Sequence, residues 1–202
     1  MTTNNYDFTF WCKKGIKVSS FILVLLLLTT SGYAQVEPFS SVSVPLEDDK
    51  VVFTHQFTND LSNEEFRTKV YMYLNTGLKP HAISFLEKTA DSMVCRVVDY
   101  LEIESSPLSV FAMYMIYDLK LGYNEKSSDL TIRNINFMEK SDFERKQEKP
   151  RESNFQIYTG KEMMIDKVYS PLLRKNASVR VTDAAIERLN EVVNGLASHF
   201  TE

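Results

Sequence analysis

Met93-Val94-Cys95-Arg96-Val97-Val98-Asp99-Tyr100-Leu101-Glu102-Ile103-Glu104 and, after a short break, Val110-Phe111-Ala112-Met113-Tyr114-Met115-Ile116-Tyr117-Asp118-Leu119-Lys120-Leu121 decide the fold. Both runs are rich in β-branched and aromatic residues, and both alternate with a period of two, the spacing of side chains along a strand. Between them stands Ser105-Ser106-Pro107, with a few flanking residues. A connection that short joins antiparallel neighbours, because a parallel pair needs a crossover of about a dozen residues. Working outward, Ile83 to Lys88 and Leu130 to Glu139 read as further strands, set off by Thr89-Ala90-Asp91-Ser92 and by residues 122–128. Val51 to Phe57 supplies an earlier strand that opens the domain.

Two helices flank this meander. Ser62-Asn63-Glu64-Glu65 is a capping box, in which the Ser62 hydroxyl takes an orphan N–H while Glu65 reaches back. Phe66, Val70, Tyr73 and Leu74 follow on one stripe, and Gly77 is the expected stop. At the other end, Thr182 reads as an N-cap, and Ile186, Leu189, Val193, Leu196 and Phe200 repeat at helical spacing over about four turns. Gly195 reads as an internal blemish costing roughly 1 kcal/mol against Ala. A short helix is expected at Thr159 or Gly160, ending before Pro171, and the charged stretch 140–154 is expected to be an exposed loop. Two amphipathic helices need a cover and one twisted sheet supplies it. The expected class is therefore α+β, a two-layer sandwich in β-α-β-β-β-β-α order, with about five antiparallel strands and both main helices on one face.

The full chain has 202 residues, 44% of them hydrophobic and 25% charged, which is the composition of a folded protein rather than a disordered one. Its first 34 residues carry Lys13, Lys14 and Lys17, an apolar run from Phe21 to Leu28, and small residues at Gly32 and Ala34. That is the form of a secretory signal cleaved between Ala34 and Gln35. The uninterrupted apolar run is shorter than the about 20 residues that span a bilayer, so no stable anchor is expected after cleavage. Residues 35–50, with Pro38, Pro45 and Glu47-Asp48-Asp49, read as a flexible lead-in, and 51–202 as a single domain. The net charge is −4 and becomes more negative once the lysine-bearing signal is removed, which argues against a nucleic-acid grip.

The order of landmarks resembles a bacterial secreted family of unknown function with a TBP-like fold. The residues that carry the resemblance are Val51-Val52-Phe53 leading through Leu61-Ser62 into the first helix, Tyr158-Thr159-Gly160-Lys161-Glu162, Ile165-Asp166 before a stretch ending in Arg174-Lys175, and Val179-Arg180-Val181-Thr182-Asp183. They span about residues 51–200, with Met163-Met164 standing where the family tends to an aromatic. The resemblance implies a half-saddle, an antiparallel sheet backed by two helices. It implies no catalytic residue. It also implies no DNA binding, because TBP grips DNA with a basic, Phe-bearing sheet whereas this chain is acidic.

Chemistry-bearing motifs are sparse. His55, His81 and His199 fall in separate segments, no helical His-Glu-x-x-His or cysteine pair exists, and the glycines are scattered singly. Cys95, alone after the signal, reads as an inert core residue. No catalytic residue, cofactor or metal is expected. Asp91-Ser92-Met93 resembles a bacterial envelope O-glycosylation acceptor, which makes Ser92 a candidate site. The remaining surface of interest is the sheet face away from the helices, where Arg96, Tyr100, Tyr114, Ile116 and Phe137 are expected to form a mixed aromatic and Arg patch, either open or covered by residues 140–154 or by the lead-in. The expected role is that of an exported, periplasmic or envelope, non-enzymatic interaction domain that docks an envelope protein or its own copy there. The alternative is a carrier for a small apolar or glycan ligand held between sheet and loop.

Export from a bacterial host should yield a mature chain beginning at Gln35. Intact mass with N-terminal sequencing checks this, and retention of Lys13 to Lys17 in the exported product would overturn the signal assignment.

Overall fold

Residues 38–106, 109–125, 127–172 and 174–201 are described by a computed structural model. The signal peptide and the junction of Ala34 with Gln35 lie outside them. The chain runs β1 (Leu46–Glu47), β2 (Lys50–Val51), β3 (Phe53–Thr58), α1 (Asn63–Met72) continued by a π-turn (Tyr73–Gly77), β4 (Ala82–Lys88), β5 (Ser92–Ser106), β6 (Ser109–Asn124), β7 (Ser127–Glu139), α2 (Lys140–Glu148), β8 (Ile157–Thr159), α3 (Gly160–Met164) and α4 (Ala177–Thr201). One six-stranded antiparallel sheet has the order β3-β7-β6-β5-β4, with β8 also on β7. Consecutive strands β4 to β7 form the expected meander. β3 joins at the far edge, so α1 must cross the sheet from that edge to β4. This is the expected α+β class.

The capping box is present, with Ser62 accepting from the Glu65 amide and Glu65 accepting from the Ser62 backbone. Phe66, Val70, Tyr73 and Leu74 from α1, and Val181, Leu189, Val192, Val193 and Leu196 from α4, share one core with Met113, Met115, Tyr117, Leu119 and Leu121 of β6. Both main helices therefore cover the same face.

Four expectations are corrected. First, α4 begins at Ala177, more than a turn before Thr182, because Ala177, Val181 and Ala185 extend the buried stripe. Thr182 is inside the helix, where its hydroxyl donates to the Ser178 carbonyl at 2.7 Å and accepts from the Lys167 ammonium at 2.9 Å. Second, the lead-in is pinned: the Asn190 side chain bonds both the N–H and the C=O of Phe39 at 3.0 Å, and Phe39 packs on Phe53 with ring centroids 4.8 Å apart. Asp48 and Asp49, with φ 46 and 62, make the left-handed two-residue turn joining β1 to β2. Third, the charged stretch after β7 is helical over α2, whose exposed face suits its charges. Fourth, Gly195 is a contact surface and no blemish. A Cβ there would lie 2.6 Å from Cε2 of Tyr73, and one at Gly77 would lie 2.6 Å from Cδ2 of the same ring. The two glycines let α1 and α4 close on Tyr73, which is 3% exposed.

Helix propensity alone gives Gly195→Ala a gain of about 1 kcal/mol, whereas overpacking against a buried ring costs about 1–3 kcal/mol. The expected result is a net loss of stability, read as a lower urea midpoint with unchanged slope. A gain would show that the Tyr73 ring yields freely.

Candidate functional site

The sheet face away from α1 and α4 is built by the alternate residues of the central strands. β5 contributes Arg96, Val98 and Tyr100, which pair across with Asp118, Ile116 and Tyr114 of β6. Tyr114 and Ile116 pair in turn with Met138 and Asn136 of β7. The face divides into two halves of different chemistry. One half is apolar: Ala112, Tyr114 and Met138 are buried yet stand outside the main core. They lie towards α2, which packs over β6 and β7 on this side. The Phe143 ring of α2 lies on Tyr114, with centroids 3.9 Å apart and planes 22° from parallel, and His81 meets both rings edge-on. The other half is polar. Asp118 accepts two bonds from the Arg96 guanidinium, at 2.8 and 3.1 Å, and one from the Asn134 amide at 2.8 Å. Burial alone would raise the Asp118 carboxyl; the bonds from Arg96 and Asn134 outweigh it and hold it below its ordinary value.

Of the five residues expected to share this surface, four do. Arg96, with its side chain 48% exposed, and Tyr100, 36% exposed, are accessible, and Ile116 is partly so. Tyr114 belongs to the same face but is covered by Phe143 and only 5% exposed. Phe137 is corrected: it is fully buried in the main core, in register with Met115. Strict alternation from Leu130 would turn Phe137 outward. Between Arg133 and Asn136, however, two residues of β7 face the single Tyr117 of β6, and Asn134 takes φ 55. This β-bulge shifts the phase by one, so that Ile135 and Phe137 point inward. Ser92 is half-buried at the start of β5, with its hydroxyl 3.0 Å from that of Thr89.

A cleft of about 610 Å³ opens beside the covered half, lined by Lys79, His81 and Tyr100, by Lys140 and Glu144 of α2, and by Arg188 and Glu191 of α4. The buried carboxylate of Asp99 borders it too. Asp99 takes bonds from Arg188 at 3.0 and 3.1 Å and from the Tyr117 hydroxyl at 2.9 Å. Arg188 also donates to the Leu78 carbonyl at 2.6 Å and to Glu191 at 2.8 Å. Burial opposes the charge on Arg188, and its bonds to Asp99 overcome that and raise its pKa. The sequence held one signal for this network: a lone Asp in the inward series Val97, Asp99, Leu101 requires a cation.

Burial pushes the Cys95 thiol up to about 12, which keeps it protonated. His199 bonds the Gly195 carbonyl at 2.9 Å, and burial lowers His55, which packs on Phe57. Among the described residues no three His, Cys, Asp or Glu side chains gather as a metal site, and no helix is long and apolar enough to cross a membrane.

Arg188→Met leaves the Asp99 charge buried without its cation and is expected to cost about 3–5 kcal/mol. Adding Asp99→Leu should restore most of that loss. Equilibrium unfolding of the three variants checks the coupling, and simple additivity of the two losses would contradict it.

No family model matches the chain, and no curated protein matches it. Solved structures do. A DUF4468 family protein from Bacteroides ovatus superposes with a TM-score of 0.62 at 15% identity, covering 79% of this chain and 91% of that one. A TBP-like protein from Parabacteroides distasonis superposes with a TM-score of 0.58 at 8% identity, covering 79% and 97%. At such identities the likeness is one of architecture: the chain has a TBP-like fold.

Proposed function

We propose that this chain is an exported, non-enzymatic docking domain of the bacterial envelope, released from its signal after Ala34, which binds a partner protein through the strip of outer sheet face beside α2. The observation that carries this reading is the exposed edge of an aromatic cluster centred on the buried Tyr114. Tyr100 reaches solvent while its ring packs on Tyr114 at 5.3 Å, with Val98 and Ile116 beside it and Arg96 next along the strand. Aromatic and Arg side chains on a rigid sheet are the residues that dominate interface energetics. The neighbouring cleft adds Lys79, Lys140, Glu144 and Glu191, charges of both signs suited to the rim of a contact. Because the cleft opens along one side, it favours docking over an enclosed carrier pocket.

Tyr100→Glu and Ile116→Lys are the decisive substitutions, because both positions reach solvent and folding should survive them. The Tyr100 change is expected to lower stability by about 1 kcal/mol, the scale of one aromatic pair. Capture of the partner from an envelope extract by the exported chain should fall at least about tenfold, the scale of a hot-spot residue. Capture unchanged in both folded variants would remove this surface from consideration. Sedimentation of the purified chain tests whether the captured partner is a second copy.

A further inference from the structure

α2 is a cover of unusual economy. None of its residues is buried, and its N-terminus at Glu139 has no side-chain cap. Beyond Lys149, Pro150 leads into a segment without regular structure up to β8. Its hold on the sheet rests on the Phe143 ring upon Tyr114 and the edge of His81, with the Lys140 ammonium 5.9 Å above Tyr100. In its first turn Asp142 bonds Arg145 at 2.9 Å, a contact inside α2, and accepts from the Gln156 amide at 3.1 Å, which ties the helix to the segment entering β8. Beneath lie Ala112, Tyr114 and Met138, a buried apolar patch continuous with the exposed Tyr100 and the half-buried Val98 and Ile116.

We propose that α2 is a displaceable cover, and that the partner takes its place with an amphipathic helix presenting one aromatic ring to Tyr114. This deepens the docking reading and rests on it. The chemistry of the occupant is read from the resident one: a single ring stacked on Tyr114, on a helix that is otherwise charged. A segment anchored by so few buried contacts opens locally at far lower cost than the core. While closed, it shields apolar surface that would otherwise invite unselective association.

Hydrogen exchange on the full chain separates a displaceable cover from a fixed one. The α2 amides are expected to exchange at least about 100-fold faster than those of residues 185–196 in α4. Phe143→Ala should raise the α2 rate about tenfold further and bring out fluorescence of an apolar dye, with the thermal transition retained. Phe143→Leu should give a smaller effect of the same sign. A peptide of residues 139–149 added in trans should suppress the dye signal, and its Phe143→Ala version should not.

Exchange of α2 at the rate of α4, or a dye signal indifferent to the peptide, would overturn the proposal. Dimerisation of the Phe143→Ala chain through the bared face would assign the surface to a second copy and overturn the partner helix. Loss of capture in Tyr100→Glu together with a rigid α2 would leave the docking reading in place and sink only the cover. A mobile α2 with capture intact in the Tyr100 and Ile116 variants would sink the docking reading and, with it, the partner helix.

Discussion

The ion pair of Asp99 with Arg188 fixes what faces what in this molecule. Asp99 sits at the middle of β5, on its inward face, where an unpaired carboxylate would cost several kcal/mol. Arg188 reaches it from α4, and a further N–H of the same guanidinium closes on the Leu78 carbonyl just after the π-turn. One side chain thus joins sheet, last helix and the end of the first helical segment. Tyr117, buried at the centre of β6, adds its hydroxyl to the same carboxylate, and burial raises that phenol well above its ordinary value, so it remains a donor. With α4 tied there and α1 closed against it over Tyr73, both helices are committed to one face of the sheet. The other face is left to short elements.

Much of this was legible in the sequence because it follows from periodicity. The alternation of Phe111, Met113, Met115, Tyr117, Leu119 and Leu121 placed six residues inward, and all six are buried in the main core. The capping box at Ser62 announced one helix start from local chemistry alone, and the helix expected at Thr159 or Gly160 is present but stops at Met164, well short of Pro171. What escaped is what periodicity cannot carry. The bulge at Asn134 breaks the phase of β7 by one residue, which turns Phe137 inward, and a bulge is decided by the partner strand rather than by the strand's own pattern. The start of α4 was obscured because Thr182 has the features of a cap while its hydroxyl bonds back to Ser178 inside the helix. Gly195 looked unfavourable because propensity counts only the helix it sits in, and the ring that needs the space belongs to another.

The outer face was legible in composition but not in exposure. Sequence placed Tyr114 and Ile116 together opposite Arg96 and Tyr100, and the register agrees. It could not say that Phe143 would lie on Tyr114. A nine-residue helix with one aromatic among eight polar or charged residues has too weak a stripe to be read as packed. The helix forms there because the sheet offers it a ring. Burial of Ala112, Tyr114 and Met138 is therefore a tertiary property, made jointly by a face whose apolar residues need a cover and a charged segment long enough to supply one.

The division of that face into two chemistries bears directly on function. In the polar half, Arg96 and Asn134 hold Asp118 ionised, and the same bulge residue that inverts β7 supplies one of those bonds. Arg96 is thereby fixed in direction while half of its side chain remains in water, so a partner would meet an ordered guanidinium with little further loss of side-chain freedom. In the apolar half, Tyr100 is ordered by its contact with Tyr114 in the same way. Rings and guanidinium on one rigid pair of strands are preorganised for contact. α2, which lies over the apolar half, has no buried residue of its own and stands outside the main core.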